Sequence, residues 1–204
     1  MVPPSTRLLL GDRMFYRLRR ASRQWLAQSD FARILATPPV STIDDGTIIL
    51  SQVQKRDMEM YLVAGKSFAL HAGFGRFYVL DDGSLTPEHH AQLRQHIPGI
   101  SIFGLRDIAE GAGPVGGIFW ERLASVVKLA ETRYVIQLDS DTVTLGPLDE
   151  VKECIRANRS FALMAGSTSA IRSLADAAAA SRENSGEHIQ LAAEKRLDEI
   201  DPAI

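Results

Sequence analysis

The sequence predicts an α/β fold, a mostly parallel central sheet with flanking helices, and three observations carry that expectation. Short runs rich in Ile, Val and Leu alternate along the chain with stretches of helical spacing. Turn signals built from Asp, Gly and Pro separate them. The strand read at Arg133–Leu138 is preceded by an amphipathic helix and followed by a turn and another helix. Strand–helix alternation of this kind belongs to layered sheets with parallel strands.

The elements follow in order. Arg7–Arg23 holds six arginines against one acid, Asp12, interleaved with Leu8, Leu9, Leu10, Phe15 and Leu18. This predicts a basic helical extension over residues 1–45, able to make weak contact with a membrane surface or to pack as a solvated helix on the domain's edge. Thr37-Pro38-Pro39 closes it, and Asp44-Asp45-Gly46 marks a turn before the first strand, Thr47–Val53. Arg56–Ala72 has helical spacing, with Met58, Tyr61, Leu62, Gly65 and Ala69 on one face. Arg76–Leu80 is a second strand, ended by Asp81-Asp82-Gly83-Ser84. Thr86-Pro87-Glu88 opens a helix, because Thr is favoured at the N-cap and Pro at the first helical position. Its histidines, His89, His90 and His96, read as solvent-facing rather than as a metal cluster, since adjacent helical residues point to different sides.

Ile100–Phe103 is a third strand. Ile118–Thr132 reads as a helix with Phe119, Leu123, Val126, Val127 and Ala130 as its buried stripe, and Arg122 and Lys128 away from it. Val151–Ala157 reads as helix and Ser160–Ala165 as strand. Residues 46–168 are thus expected to form the α/β domain, and residues 169–204, with an alanine run at Ala177–Ala180 and a helix at Glu187–Glu199, a helical tail.

Composition narrows the function classes. An apolar fraction of 45% and a charged fraction of 24% are those of an ordinary globular protein, and a net charge of -2 provides no overall attraction to nucleic acid. The single Cys154 cannot form an internal disulfide, which fits a reducing compartment, and no apolar run approaches the ~20 residues that span a bilayer. A cytoplasmic location is the expectation.

Chemistry concentrates at Asp139-Ser140-Asp141. If the strand stays extended, both carboxylates project to one side, and two like charges there call for a cation that prefers oxygen ligands, such as Mn²⁺ or Mg²⁺. A second acidic pair, Asp81-Asp82, ends a neighbouring strand, and open α/β sheets bind ligands beyond those carboxyl ends.

With these residues in view, the chain resembles GT-A-fold glycosyltransferases that use nucleotide-diphosphate sugars, nearest to the glycogenin-like group, family eight. TIILSQV (47–53) is similar to the opening nucleotide-binding strand of that family. FYVLDDGSLTPEHHAQL (77–93) resembles its strand–DDG–helix element, and YVIQLDSDTVTLGPLDEV (134–151) its DXD strand and following helix. The resemblance covers residues 47–165. It implies a metal at Asp139 and Asp141, a nucleoside oriented by Asp81 or Asp82, and a diphosphate or sugar reached by Arg122, with Ser140 beside them. A nucleotide-sugar donor, most simply a UDP-sugar, and an unspecified acceptor would be the partners, with no nucleic acid. Acceptor-binding residues follow the DXD element in that fold, so residues 169–204 read as the start of a missing acceptor-binding half, and His188 there as a solvated helix residue.

Two other readings use the same residues. LDSDTVTLG also fits the D-x-D-x-[TV] pattern of haloacid-dehalogenase-like phosphatases, with Asp139 as nucleophile and Asp141 as acid/base. A non-catalytic nucleotide-sugar-binding module is the third reading. Gly111–Gly117 contains a formal G-x-G-x-x-G, but it does not directly follow a strand and Pro114 interrupts it, so it reads as a loop over the donor site.

Overall fold

Four strands, β1 (Ile43–Val53), β2 (Phe74–Asp81), β3 (Ser101–Gly104) and β4 (Tyr134–Gln137), form one sheet in the order β3-β2-β1-β4, with every neighbouring pair parallel. They belong to a computed structural model that describes residues 31–108, 118–162, 173–183 and 195. Helices α1 (Met58–Ala72), α2 (Pro87–His96) and α3 (Ile118–Ala130) each lead from one strand to the next, and α4 (Asp149–Arg156) follows β4. The chain divides into two units, Met1–Arg159 with the sheet and Ser160–Ile204 with α5 (Leu174–Arg182). In the second unit Ser173 caps α5, its hydroxyl accepting from the Asp176 N–H at 3.1 Å. The α/β class expected from the alternation is therefore the fold of the first unit.

A strand covered on both faces needs a near-continuous apolar run, and β1 supplies it. Ile49 and Val53 face one way with Phe77, Val79 and Ile136, against Tyr61, Leu62 and Phe68 of α1 and Leu93 of α2. Ile48 and Leu50 face the other way with Leu80, beneath Val126 and Leu129 of α3. The expected inner face of α1 is buried as read, from Met58 through Tyr61 and Leu62 to Ala69. Thr86 caps α2 with Pro87 behind it; its side chain accepts from the His89 N–H, and His89 Nδ1 in turn accepts from the Thr86 N–H at 3.0 Å.

β1 is longer than its opening pattern suggests because its first residues run past a bulge. Ile43 pairs with Phe74, yet Ile48 pairs with Arg76. Gly75 sits opposite this break at φ +91°, and a Cβ there would lie 2.8 Å from Ile49 Cγ1. Gly75→Ala is expected to lower stability by about 2 kcal/mol, since it combines backbone strain with overpacking of the core. A shift in the urea unfolding midpoint measures it, and an unchanged midpoint would show that the bulge relaxes freely.

Two polar side chains, Lys66 and His96, are buried at the edge of this apolar frame, under the exposed Thr37 and Pro38. Lys66 of α1 is only 4% exposed. Its ammonium donates to the Thr37 hydroxyl and to the Pro38 carbonyl at 2.8 Å, lies 3.4 Å from the Thr37 carbonyl, and is 3.2 Å from His96 Nδ1. The Val40 N–H donates to the His96 carbonyl at 3.0 Å. Residues 37–40 are thereby fastened across α1 and α2.

Several expectations change. The histidines of α2 are not a solvent-facing set: His96 is 3% exposed beside Lys66, and His90 is turned to Asp81. On α3, Leu123 and Val127 are half or more exposed, while Ser125 is fully buried and Val126 and Leu129 meet the sheet. The helix is turned so that Arg122 and Ser125 face inward, and Ser125 stays satisfied by donating to the Glu121 carbonyl at 2.8 Å. The Phe119 side chain lies outside those described. Of the strand read at Ser160–Ala165 only residues 160–162 are described, and they carry no strand. The basic extension before residue 31, the Gly111–Gly117 loop and His188 lie outside the described residues, as does the tail helix at Glu187–Glu199 apart from residue 195. No helix among the described residues is long and apolar enough to cross a membrane.

Candidate functional site

All four strands are parallel, so their carboxyl ends share one edge. From β1 the chain adds β2 and β3 on one side, then crosses to place β4 on the other. The order reverses between β1 and β4, and such a switch point opens a crevice where ligands bind. Asp139-Ser140-Asp141 stands at that crevice. Leu138 follows the end of β4 and its N–H still donates to the Leu50 carbonyl at 2.9 Å.

The two carboxylates are not carried on an extended strand, as expected from their spacing. β4 ends at Gln137, and the Thr142 hydroxyl closes a turn by donating to the Asp139 carbonyl at 2.8 Å. Asp139 and Asp141 are thus the flanks of a turn with Ser140 between them. The Thr144 N–H then donates to Ser67 of α1 at 3.0 Å, which ties the following loop to the domain. Asp139 remains 55% exposed, and its Oδ1 accepts from Arg122 Nη1 at 3.1 Å and from Gln137 Nε2 at 3.4 Å. Arg122 and the acidic turn are therefore in direct contact, 17 residues apart in sequence. Lys128 takes no part here; it pairs with Glu131 on the surface at 2.8 Å.

The acids after β2 have separate tasks. Asp81 Oδ1 accepts from the N–H groups of Gly83 at 2.8 Å and Leu85 at 3.2 Å, and its Oδ2 meets His90 Nε2 at 2.9 Å. Its side chain is 11% exposed. Asp82 accepts, among the described residues, from the Ser84 N–H at 3.0 Å and lines an open cavity of about 570 Å³. Gln54, Lys55, Arg56, Glu59, Ser84 and His89 complete its wall, beyond the ends of β1 and β2. Asp-Asp-Gly-Ser announces a pair of side-chain-to-backbone turns, but nothing in the sequence says which acid is consumed by the loop. Lys55 and Gln54 carried no sequence signal of their own, and His90 stood out only as one of the helix histidines read as solvent-facing.

Asp81→Ala is expected to cost about 2 kcal/mol of stability, because three donors lose a charged acceptor together. Asp82→Ala, judged by the same thermal unfolding curves, should leave stability near that of the parent. Equal losses would show that the two acids share the loop-holding task.

The donor chemistry at Asp139 and Asp141 suits a hard cation that takes one or two protein carboxylates and fills the rest of its shell with water and substrate oxygens. Among the described residues no group of three or more His, Cys, Asp or Glu side chains gathers to enclose a metal fully. No family model, curated protein or solved structure matches this chain.

Proposed function

We propose that this protein is a metal-dependent glycosyltransferase that moves a sugar from a nucleotide-diphosphate donor, a UDP-sugar in the first instance, to an acceptor, on a sheet of GT-A type. The observation that supports this reading is the contact of Arg122 with Asp139 at the switch-point crevice, where a cationic group and a pair of exposed carboxylates meet.

Asp139 and Asp141 would hold Mn²⁺ or Mg²⁺. Bound there, the cation supplies neutralisation of the negative charge that builds on the departing nucleoside diphosphate. Arg122 provides a second positive group, and Asp139 holds it at the crevice from 3.1 Å, so the guanidinium is in position before the donor arrives. The cavity beyond β1 and β2 receives the nucleoside, with Asp82 as acceptor for a ribose hydroxyl and Gln54 for the base. Asp81 shapes that wall through Gly83, Leu85 and His90 without touching the ligand.

Calorimetric titration of UDP with Mn²⁺, repeated in EDTA, tests the reading. Binding that requires the metal is expected. Absence of binding, together with Mg²⁺-dependent hydrolysis of p-nitrophenyl phosphate, would transfer the acidic turn to the phosphatase chemistry in which Asp139 is the nucleophile.

A further inference from the structure

Three buried side-chain polar atoms among the described residues lack a hydrogen-bond partner: Gln52 Nε2, Tyr61 OH and Glu121 Oε2. Buried polar groups are nearly always satisfied, so each such atom asks for an explanation. Tyr61 belongs to α1 and the core on the opposite face of the sheet. The other two belong to the face that α3 covers.

Gln52 is the penultimate residue of β1, and alternation puts its side chain on the same face as Ile48 and Leu50. That face is roofed by Val126 and Leu129 of α3. Glu121 lies in the first turn of α3, one residue before Arg122, and its side chain is 14% exposed. Because α3 runs back to start β4, its first turn lies over the carboxyl edge, as the Arg122–Asp139 contact at 3.1 Å requires. Gln52 and Glu121 therefore both lie toward the carboxyl edge on the α3 side of the sheet, the edge at which the acidic turn stands, one on the strand and one on the helix, with their unpartnered atoms closed to solvent in the ligand-free protein. Glu121 Oε1 has a distant cation, Arg106 Nε at 3.8 Å, while Oε2 has none.

We propose that Gln52 and Glu121 are a hydroxyl-reading pair for the sugar of the donor; this rests on the glycosyltransferase reading above. A carboxylate oxygen without a donor and an amide N–H without an acceptor suit a neutral ligand that offers both kinds of group. Sugar hydroxyls do so, each donating one hydrogen and accepting another. A phosphate does not, since it brings no hydrogen to Glu121 and its charge is repelled there, whereas Arg122 next door attracts it. Charge thus sorts the ligand along the crevice, with the diphosphate at Arg122 and the acidic turn and the sugar at Glu121 and Gln52.

Gln52→Met and Glu121→Met keep side-chain length and remove the polar atoms. Titrations with Mn²⁺ compare UDP with UDP-glucose, UDP-galactose and UDP-N-acetylglucosamine. In the parent protein at least one sugar should tighten binding over UDP. Each variant should weaken binding of that UDP-sugar by about tenfold and leave UDP unchanged. The ligand-free variants should unfold at the same temperature as the parent or higher, because an unsatisfied buried group has been removed. A fall in unfolding temperature with the sugar's gain intact would assign both residues to structure, through a buried water, and overturn the proposal. So would equal loss for UDP and UDP-sugar, or no gain from any of the three sugars. If the parent fails to bind UDP at all, the glycosyltransferase reading fails and this inference falls with it. If UDP binds and only the sugar dependence fails, the reading stands alone.

Discussion

Asp139→Ala is expected to raise the Kd for UDP in Mn²⁺ by about 100-fold or more, at or beyond the upper end of what loss of an outer-shell partner costs a metal site. Two effects add in the same direction. The turn loses one of its two carboxylates, so the cation has only Asp141 left from this motif. Arg122 also loses the acceptor at 3.1 Å that holds it over the crevice. The fold should be retained, since the Asp139 side chain is 55% exposed and its removal leaves no buried group unpaired. Calorimetry in Mn²⁺ and in EDTA separates the terms: the variant should bind equally in both, and the amount by which it falls below the parent in EDTA measures the loss of the hold on Arg122. Metal-dependent affinity equal to that of the parent would remove Asp139 from the metal site. Asp139→Asn is informative beside it, because the amide preserves a hydrogen-bond acceptor for Arg122 while halting charge neutralisation of the cation.

Lys66→Met is expected to cost about 2 kcal/mol of stability, the loss of charge-assisted hydrogen bonds made by a buried ammonium. The apolar replacement fills the space of the lysine stem but leaves the Thr37 hydroxyl, the Pro38 carbonyl and His96 Nδ1 without their shared donor. The same cluster makes stability depend on pH. Burial, and then the neighbouring Lys66 charge, hold the His96 imidazole below its ordinary value of 6.5. The unfolded chain therefore takes up a proton near 6.5 that the folded protein refuses until lower pH, and stability is lost as pH falls through that window. Burial likewise lowers the Lys66 ammonium from 10.5, so stability gained from this group rises with pH in the alkaline range below that value. Urea unfolding at about pH 5 and about pH 7.5 should show the parent weaker in acid, and His96→Gln should shrink the difference. A parent whose midpoint does not move between the two would show that His96 is protonated equally in both states.

The strands were legible because their apolar runs are short, bounded by Asp and Gly, and separated by stretches of helical period. Thr86-Pro87 was legible as a helix start because the N-cap and the first turn are local chemistry. The rotation of α3 was not. Its sequence offers two apolar stripes, one through Leu123 and Val127 and one through Val126 and Leu129, and periodicity alone does not choose between them. The choice is made by contacts outside the helix: Val126 and Leu129 pack on the sheet and Arg122 reaches Asp139, while Ser125, buried by that rotation, is satisfied within the helix by the Glu121 carbonyl. In the candidate site, the acidic residues could be found from their position after strands. Their division of labour could not, because Asp81 and Asp82 are chemically alike and only the path of the loop turns one inward. The Lys66 cluster joins residues 29 and 30 apart, and no local pattern records a contact of that kind.

The strand order also ranks the strand pairings by the length of chain each must close during folding. β1, α1 and β2 are neighbours along the chain, so their pairing closes a short loop and can come early. The seam between β1 and β4 joins residues such as Ser51 and Leu138, which are 87 positions apart, and comes late. Until it closes, the flank of β1 that will receive β4 stays open, with its unpaired N–H and C=O groups able to accept a strand from another chain. A ribosome must deliver β4 before that flank can be covered, so the strand that carries the acidic turn to its place is also the one that ends the vulnerable stage.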